Sequence, residues 1–387
     1  MHALRTALVA TALVLAAGTA AAADTGAFVV QLGRDTTAVE RYLRTPARVE
    51  VEQVGRAPRV LRRSFAYDYD HGSLRHASVT ASAPGNPVAI QSIDAVTDGD
   101  SLRLTIRNNG GASSQNVAVA FPAGTVMVAG SSPWTGYETA TMAFVRGKSD
   151  TMSTRMYFLG APGLNVLQMR RVGRDSVQWS NDHMDVFHAR VDRDGHVLGV
   201  LPISGTGQFG VTRVATIDVD AYAAGYAARE QSGGGIGTLS PRDTVRASAG
   251  GAALWVDYGR PGMRGRKVFG GLVPYGAVWR TGANAATQFR TDKDLDFGGG
   301  TVVPAGIYTL WSVVTADGWK LVFNTQTGQW GTEHDAARDK YSVALKPETI
   351  PDPVERFTIR TSDAAGGGAI VMEWDHTRVT APFTTHP

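Results

Sequence analysis

From Ala47 onward the chain alternates apolar and polar residues with a period of two. Val49 and Val51 are interleaved with Arg48, Glu50 and Glu52; Leu102, Leu104 and Ile106 with Arg103, Thr105 and Arg107; Val117, Val119 and Phe121 keep the same rule. Alternation of this kind turns one face of each strand to a core and the other to water, as in an antiparallel sheet. The pairs His71-Gly72, Asp98-Gly99, Asn109-Gly110 and Asp194-Gly195 fall between strand candidates, where a turn needs the positive φ that glycine takes without steric cost. The N-terminal half is therefore expected to be a hairpin-rich antiparallel sheet, curled around a helix as a half-barrel or closed toward a barrel. Ser131 to Val145 is the expected interruption, as loop or helix. Upstream, Thr37-x-x-Glu40 has the form of a capping box while Val39, Arg41 and Leu43 alternate, so a short helix and a strand fit about equally.

Asp220 to Glu230 is Ala-rich, with Asp220 placed to cap it, and predicts a short helix that ends the first domain. Residues 231–237, QSGGGIG, have the composition of a flexible linker. Beyond it Leu254, Val256 and Tyr258 alternate, Ile307 to Val314 and Trp319 to Phe323 form a hairpin across Asp317-Gly318, and Phe357 to Arg360 and Ile370 to Trp374 supply further strands. Many short strands punctuated by Gly and Pro predict a β-sandwich or jelly roll. Thr332 to Asp339 is its expected helical interruption. The chain thus reads as mainly β: a domain over 24–230, a Gly-rich linker over 231–238 and a second domain over 239–383.

Composition adds a compartment and removes some chemistry. At 387 residues, 43% hydrophobic and 19% charged, the chain can bury two cores without disulfides. The net charge of +3 comes from scattered arginines, with no basic block interleaved with aromatics, so no nucleic-acid partner is expected. Residues 1–23 read as a secretory signal peptide, with Arg5 in the n-region, Thr6 to Ala17 as the apolar run and Ala21-x-Ala23 as the cleavage site. Export to the periplasm or medium follows, with no stable membrane anchor after cleavage. The absence of cysteine removes thiol chemistry and a lipoprotein anchor.

The densest chemistry lies between Asp257 and Thr287, a run with four arginines, two tyrosines, a tryptophan and seven glycines, too irregular for one helix or strand. Arginine offers a planar, permanently charged fork for carboxylate, sulfate or phosphate, and indole rings offer flat apolar faces. Tyr258, Arg260, Arg264, Arg266, Trp279, Arg280, Asn284, Asn324 and Trp330 are the candidate ligand-binding residues. The same residues also have ordinary uses: Arg260 or Arg280 paired with Asp257 or Glu373, tryptophans in the core, asparagines holding turns. His183, Asp185 and His196 are a candidate metal set, although on a regular strand His183 and Asp185 share a face and a third ligand needs a bulge or the hairpin partner. His334, between Glu333 and Asp335, is a candidate base, with helix capping by this Thr332-x-x-Asp335 segment the competing use. No nucleophile elbow, phosphate loop or dinucleotide fingerprint is present, and no cofactor is expected.

The blocks RPGMRGRKVFGGLVPYGAVWRTGANAAT (260–287), PAGIYTLW (304–311), WKLVFNTQTGQWGT (319–332) and VMEWDHTRVTAPF (371–383) resemble the signatures of domain-of-unknown-function family 2911, a bacterial envelope or secreted group. The resemblance implies a fold and a compartment, and no reaction. The first domain faintly resembles the curled sheets of periplasmic lipoprotein-carrier folds. Three functions remain in play: non-catalytic binding of a polar or anionic glycan or small molecule by the Arg/Trp region, an envelope hydrolase using His334 or an Asp/Glu pair, and an apolar ligand carried by the N-terminal sheet.

Overall fold

The computed structural model describes residues 23–130, 133–147, 149–182, 185–364 and 366–385. The signal-peptide expectation therefore falls, but for Ala23, outside the described residues. The N-terminal region carries β1 (Asp24–Leu32), β2 (Asp35–Arg44), β3 (Arg48–Gly55), β4 (Leu61–Asp70), β5 (Ser73–Ser82), β6 (Gln91–Asp98), β7 (Ser101–Asn108) and β8 (Ser113–Ala120). It continues with β9 (Val126–Val128), helix α1 (Trp134–Arg146), β10 (Thr151–Phe158), β11 (Asn165–Gly173), β12 (Ser176–Asn181), β13 (Val186–Val191), β14 (Val197–Ser204) and β15 (Gly210–Val214), then helix α2 (Val219–Gln231). These strands form one fifteen-stranded sheet in the order β8 to β1, then β15 to β9. The chain starts at the middle, meanders to one edge, and returns from the other edge to pair β15 with β1. Every pairing is antiparallel except β9 with β10, which run parallel because α1 crosses between them.

The sheet curls around α1. Trp134, Tyr137 and Phe144 of the helix fill the concave side against Trp179, Phe187 and residues of both arms. Phe121, just past β8, meets Tyr157 of β10 edge-on, and Gly160 lies against Ile93 of β6, so the arms close over the helix from both sides. The four dipeptide turns named above fall at the β4–β5, β6–β7, β7–β8 and β13–β14 joints, each with its glycine at positive φ. The alternation in β7 is seen as buried Leu102, Leu104 and Ile106. In β8 it fails for Val117, which is 39% exposed because an edge strand runs past the helix that would cover it.

The ambiguous segment at 37–43 is strand β2, and Glu40 caps a different helix. Fully buried, it accepts hydrogen bonds from the Thr135 backbone N–H (2.8 Å) and hydroxyl at the start of α1. A carboxylate there meets the unpaired N–H groups and positive end of the helix dipole. The expected cap of α2 also shifts. Asp218, not Asp220, accepts from Ala221 N (3.0 Å), while Asp220 pairs with Arg62. Helix α2 lies on the outer face of the sheet, where Val219, Ala223 and Tyr226 cover Val39, Val54 and Val60.

The C-terminal region is a sandwich. One sheet holds β16 (Arg242–Ala249), β17 (Ala252–Gly259), β18 (Val278–Trp279), β19 (Thr287–Thr291), β22 (Gly306–Val314), β23 (Trp319–Asn324) and β24 (Asp339–Leu345). The other holds β20 (Leu295–Asp296), β21 (Val302–Val303), β25 (Pro347–Ala364) and β26 (Gly367–Thr385). Their facing side chains make one core, with Phe289, Leu310 and Phe323 from the first sheet against Phe357, Ile370 and Phe383 from the second. The helix expected at 332–339 is only a three-residue turn at Ala336–Arg338, capped by Asp335. The glycine-rich segment between the domains is tied to both: Gly234 O accepts from Arg56 (3.4 Å), and Leu239 O from Arg356 (3.5 Å).

Candidate functional site

The long loop after β17 begins with a close approach: a Cβ on Gly259 would strike the Ala283 carbonyl, so the loop's two limbs touch there. A tight turn follows, closed by Arg266 N to Met263 O (2.9 Å), with Arg264 at φ 49° and Gly265 at φ 74°. This turn sends Arg264 into the N-terminal domain. Its guanidinium, 8% exposed, pairs with Asp35 at 2.5 Å, and its carbonyl accepts from Arg34 N (2.9 Å). Arg264 is therefore a strut between the domains.

Arg266 and Arg280 are held differently. Arg266 donates to the carbonyls of Met263 (3.1 Å) and Gly262 (2.8 Å); Arg280 donates to those of Gly331 (2.9 Å) and Gly205 (3.4 Å). Among the described residues neither has a carboxylate within ion-pair distance. Burial pulls both pKa values down to about 10; at Arg266 the Arg264 charge adds to the fall while Glu355 and Asp35 oppose it, and at Arg280 Asp185 opposes it. Both groups remain cationic at neutral pH.

The backbone at Arg280 is strained. Thr281, buried and β-branched, sits at φ 49°, in the left-handed region that such residues avoid, while Asn284, at φ 61°, is of a type that tolerates it. Thr281 is fixed by its hydroxyl contact with Ser312 (2.9 Å) and by the Thr287 hydroxyl on its carbonyl (2.8 Å). Strain of this kind persists where surrounding bonds over-determine the backbone, and it collects at functional sites. Gly331 opposite lets the Arg280 side chain lie flat on the chain, since a Cβ there would overlap Arg280 Cδ.

The two arginines line one open cleft of about 410 Å³ between the domains. The sandwich contributes Leu272, Val273, Trp279, Asn284 and Trp374; the sheet domain contributes Leu32, Pro58 and the loop Gly205, Thr206, Gln208, Phe209; the connecting segment contributes Thr238 to Ser240. Asp185 builds the loop wall from behind, accepting from the Thr206 and Gly207 N–H groups. Among the described residues that line it, the ionisable groups are the two guanidiniums, in a largely apolar surround. Such a place suits an anion with an apolar body.

Four of the nine ligand-binding candidates, Arg266, Trp279, Arg280 and Asn284, meet in this cleft. The other five do not. Tyr258 is a core strut whose hydroxyl accepts from Ile359 N (2.9 Å), and Arg260 pairs with Asp243 (3.1 Å), not with Asp257. Arg264 is spent on Asp35. Asn324 is buried and donates to Asp335 O and the Asp339 carboxylate, and Trp330 lies outside the cleft with its backbone N–H donating to the Glu333 carboxylate. The tryptophan faces are also not a sugar platform: Trp279 and Trp374 stack on each other at 5.9 Å and are 8% and 2% exposed.

The metal set is not assembled. His183 lies outside the described residues, Asp185 is engaged by the 205–207 loop, and His196 sits in another cluster with Asp24 and Glu138. That cluster is already neutralised by Arg44 on Asp24 (2.5 Å) and Arg213 on Glu138 (2.5 Å), and two guanidiniums there oppose a cation. His334 contacts Asp339 (3.0 Å) and stands edge-on to Trp311, away from the cleft. The hollow of the curled sheet is filled by α1; what remains is a space of about 700 Å³ at one mouth, rimmed by Arg44, Arg75 and Arg146.

The cleft residues from the sheet domain and from the connecting segment carried no sequence signal, because a domain interface is set by long-range packing. No curated protein matches the chain. Residues 240–383, the sandwich that supplies both cleft arginines, match the model of a family described as "Protein of unknown function (DUF2911)", and the C-terminal domain is of that family.

Proposed function

We propose that this is an exported, non-catalytic binding protein that takes a small organic anion into the cleft between its domains. The observation that carries the reading is that Arg266 and Arg280 are half-buried in a largely apolar cleft with, among the described residues, no carboxylate within ion-pair distance. A ligand carboxylate, sulfonate or phosphate would supply the missing counter-charge, and Leu272, Val273 and Phe209 would cover its apolar part. The mutual stacking of Trp279 and Trp374 favours a compact anion over a glycan.

Thermal unfolding in the presence of aromatic and aliphatic carboxylates, sulfonates and neutral oligosaccharides tests this. A ligand at a hundredfold its Kd adds about 2.7 kcal/mol to stability. Apolar anions are expected to raise Tm, neutral sugars to leave it, and Arg280→Met to abolish the rise. A rise given equally by neutral sugars, or retained in Arg280→Met, rejects the assignment.

A further inference from the structure

We infer that a second anion site, for a phosphate group, lies on the outer face of the N-terminal sheet, where the β1–β2 turn, the end of β3 and helix α2 meet. A hollow of about 370 Å³ there is lined by Arg34, Arg56 and Arg229 with Tyr222 and Tyr226. Its one carboxylate, Asp35, is engaged by Arg264 from the other domain. Among the described residues none of the three arginines has an ion-pair partner. Three like charges gathered on one concavity repel each other unless an anion sits between them.

Arg56 is what makes this a built site. It is 7% exposed, stacked over the Tyr226 ring at 4.7 Å, and held by two carbonyls, Thr36 O (3.2 Å) and Gly234 O (3.4 Å). A guanidinium carries five N–H donors, so the protein leaves some of them for a guest. The Tyr226 hydroxyl is also buried, beside the Thr36 side chain. A buried, prepositioned cation and a buried hydroxyl in one hollow are fixed donors that need no ordering when a ligand arrives. Arg34 and Arg229 are exposed and adaptable; Arg229, in the last turn of α2, also complements the helix dipole and is the weaker indicator.

The chemistry separates this hollow from the cleft. Here the walls are polar and the charge is higher, which suits the several acceptor oxygens and the greater charge of a phosphate or phosphoester. Bidentate arginine contacts match that geometry.

Isothermal titration of the full chain with inorganic phosphate at low ionic strength decides the matter. Saturable binding with Kd of about 1 mM or tighter is expected. Arg56→Gln should weaken it about tenfold and Arg229→Gln about threefold, and added salt should weaken it further. If Arg56→Gln does not fold, the exposed pair Arg34→Gln and Arg229→Gln, made together, should produce the tenfold loss. Absence of saturable binding overturns the assignment. So does binding that survives these changes and disappears in Arg280→Met, which would place the anion in the interdomain cleft and leave the cleft reading standing.

Discussion

Arginine is half-buried against α1 and again in the interdomain cleft, under opposite terms. Inside the curled sheet, fully buried Glu138 accepts from Arg213 (2.5 Å), from the Val197 N–H (2.8 Å) and from the Tyr42 hydroxyl, with Arg44 at 3.5 Å. Burial pulls the Arg213 guanidinium down, but Glu138 and Tyr42 outweigh it and its pKa ends above the usual value. In the cleft desolvation acts on Arg280 with the Asp185 charge opposing it but not outweighing it, and the value falls to about 10. Charge that the fold neutralises holds elements together; charge that the fold leaves open is available to a ligand.

The sharpest way to break this contrast is to remove the counter-charge where it is present. Glu138→Gln keeps the shape and leaves Arg213 and Arg44 buried beside a neutral amide, which should cost about 3–5 kcal/mol in urea unfolding. A loss below about 1 kcal/mol would mean that the cluster is solvated and the contrast empty. Asp35→Asn makes a milder version at the domain joint. Arg264 would lose its partner while still close enough to Arg266 to depress its pKa, and a loss of about 2 kcal/mol is expected, with faster proteolysis of the 232–239 segment. Unchanged stability in that variant would remove Arg264 as a strut.

How much of this was legible beforehand follows the range of the interaction. Alternation in β7 and the glycine turns are local, so the strands and hairpins that carry them could be read directly. Segment 37–43 could not, because Glu40 looks like a capping residue for its own segment and instead caps a helix 95 residues away in sequence. The arginine loop stood out by composition. Which arginines were struts depended on Asp35 and Asp243, whose positions no spacing rule gives. The other wall of the cleft, from Leu32, Pro58 and Phe209, carries no pattern at all, being ordinary apolar residues brought together by domain packing.

The smallest expected effect has the opposite sign and separates a binding residue from a scaffold one. Arg280→Met keeps the length and apolar stem and discards a half-buried charge that, among the described residues, has no ion-pair partner and only the field of Asp185 to offset it. The loss of two hydrogen bonds to carbonyls offsets part of the gain, leaving the ligand-free protein more stable by about 1 kcal/mol. Because the folded pKa of about 10 lies below the ordinary arginine value that the unfolded chain keeps, the wild type carries the full penalty at every pH below about 9. As pH rises through 10 the folded protein releases the proton first, the penalty shrinks, and the variant's advantage should close. Parallel urea titrations of the two proteins at pH 7, 9 and 10.5 measure this. A variant less stable than wild type at pH 7 would make Arg280 a strut like Arg264, and the cleft would lose the uncompensated charge on which its assignment rests.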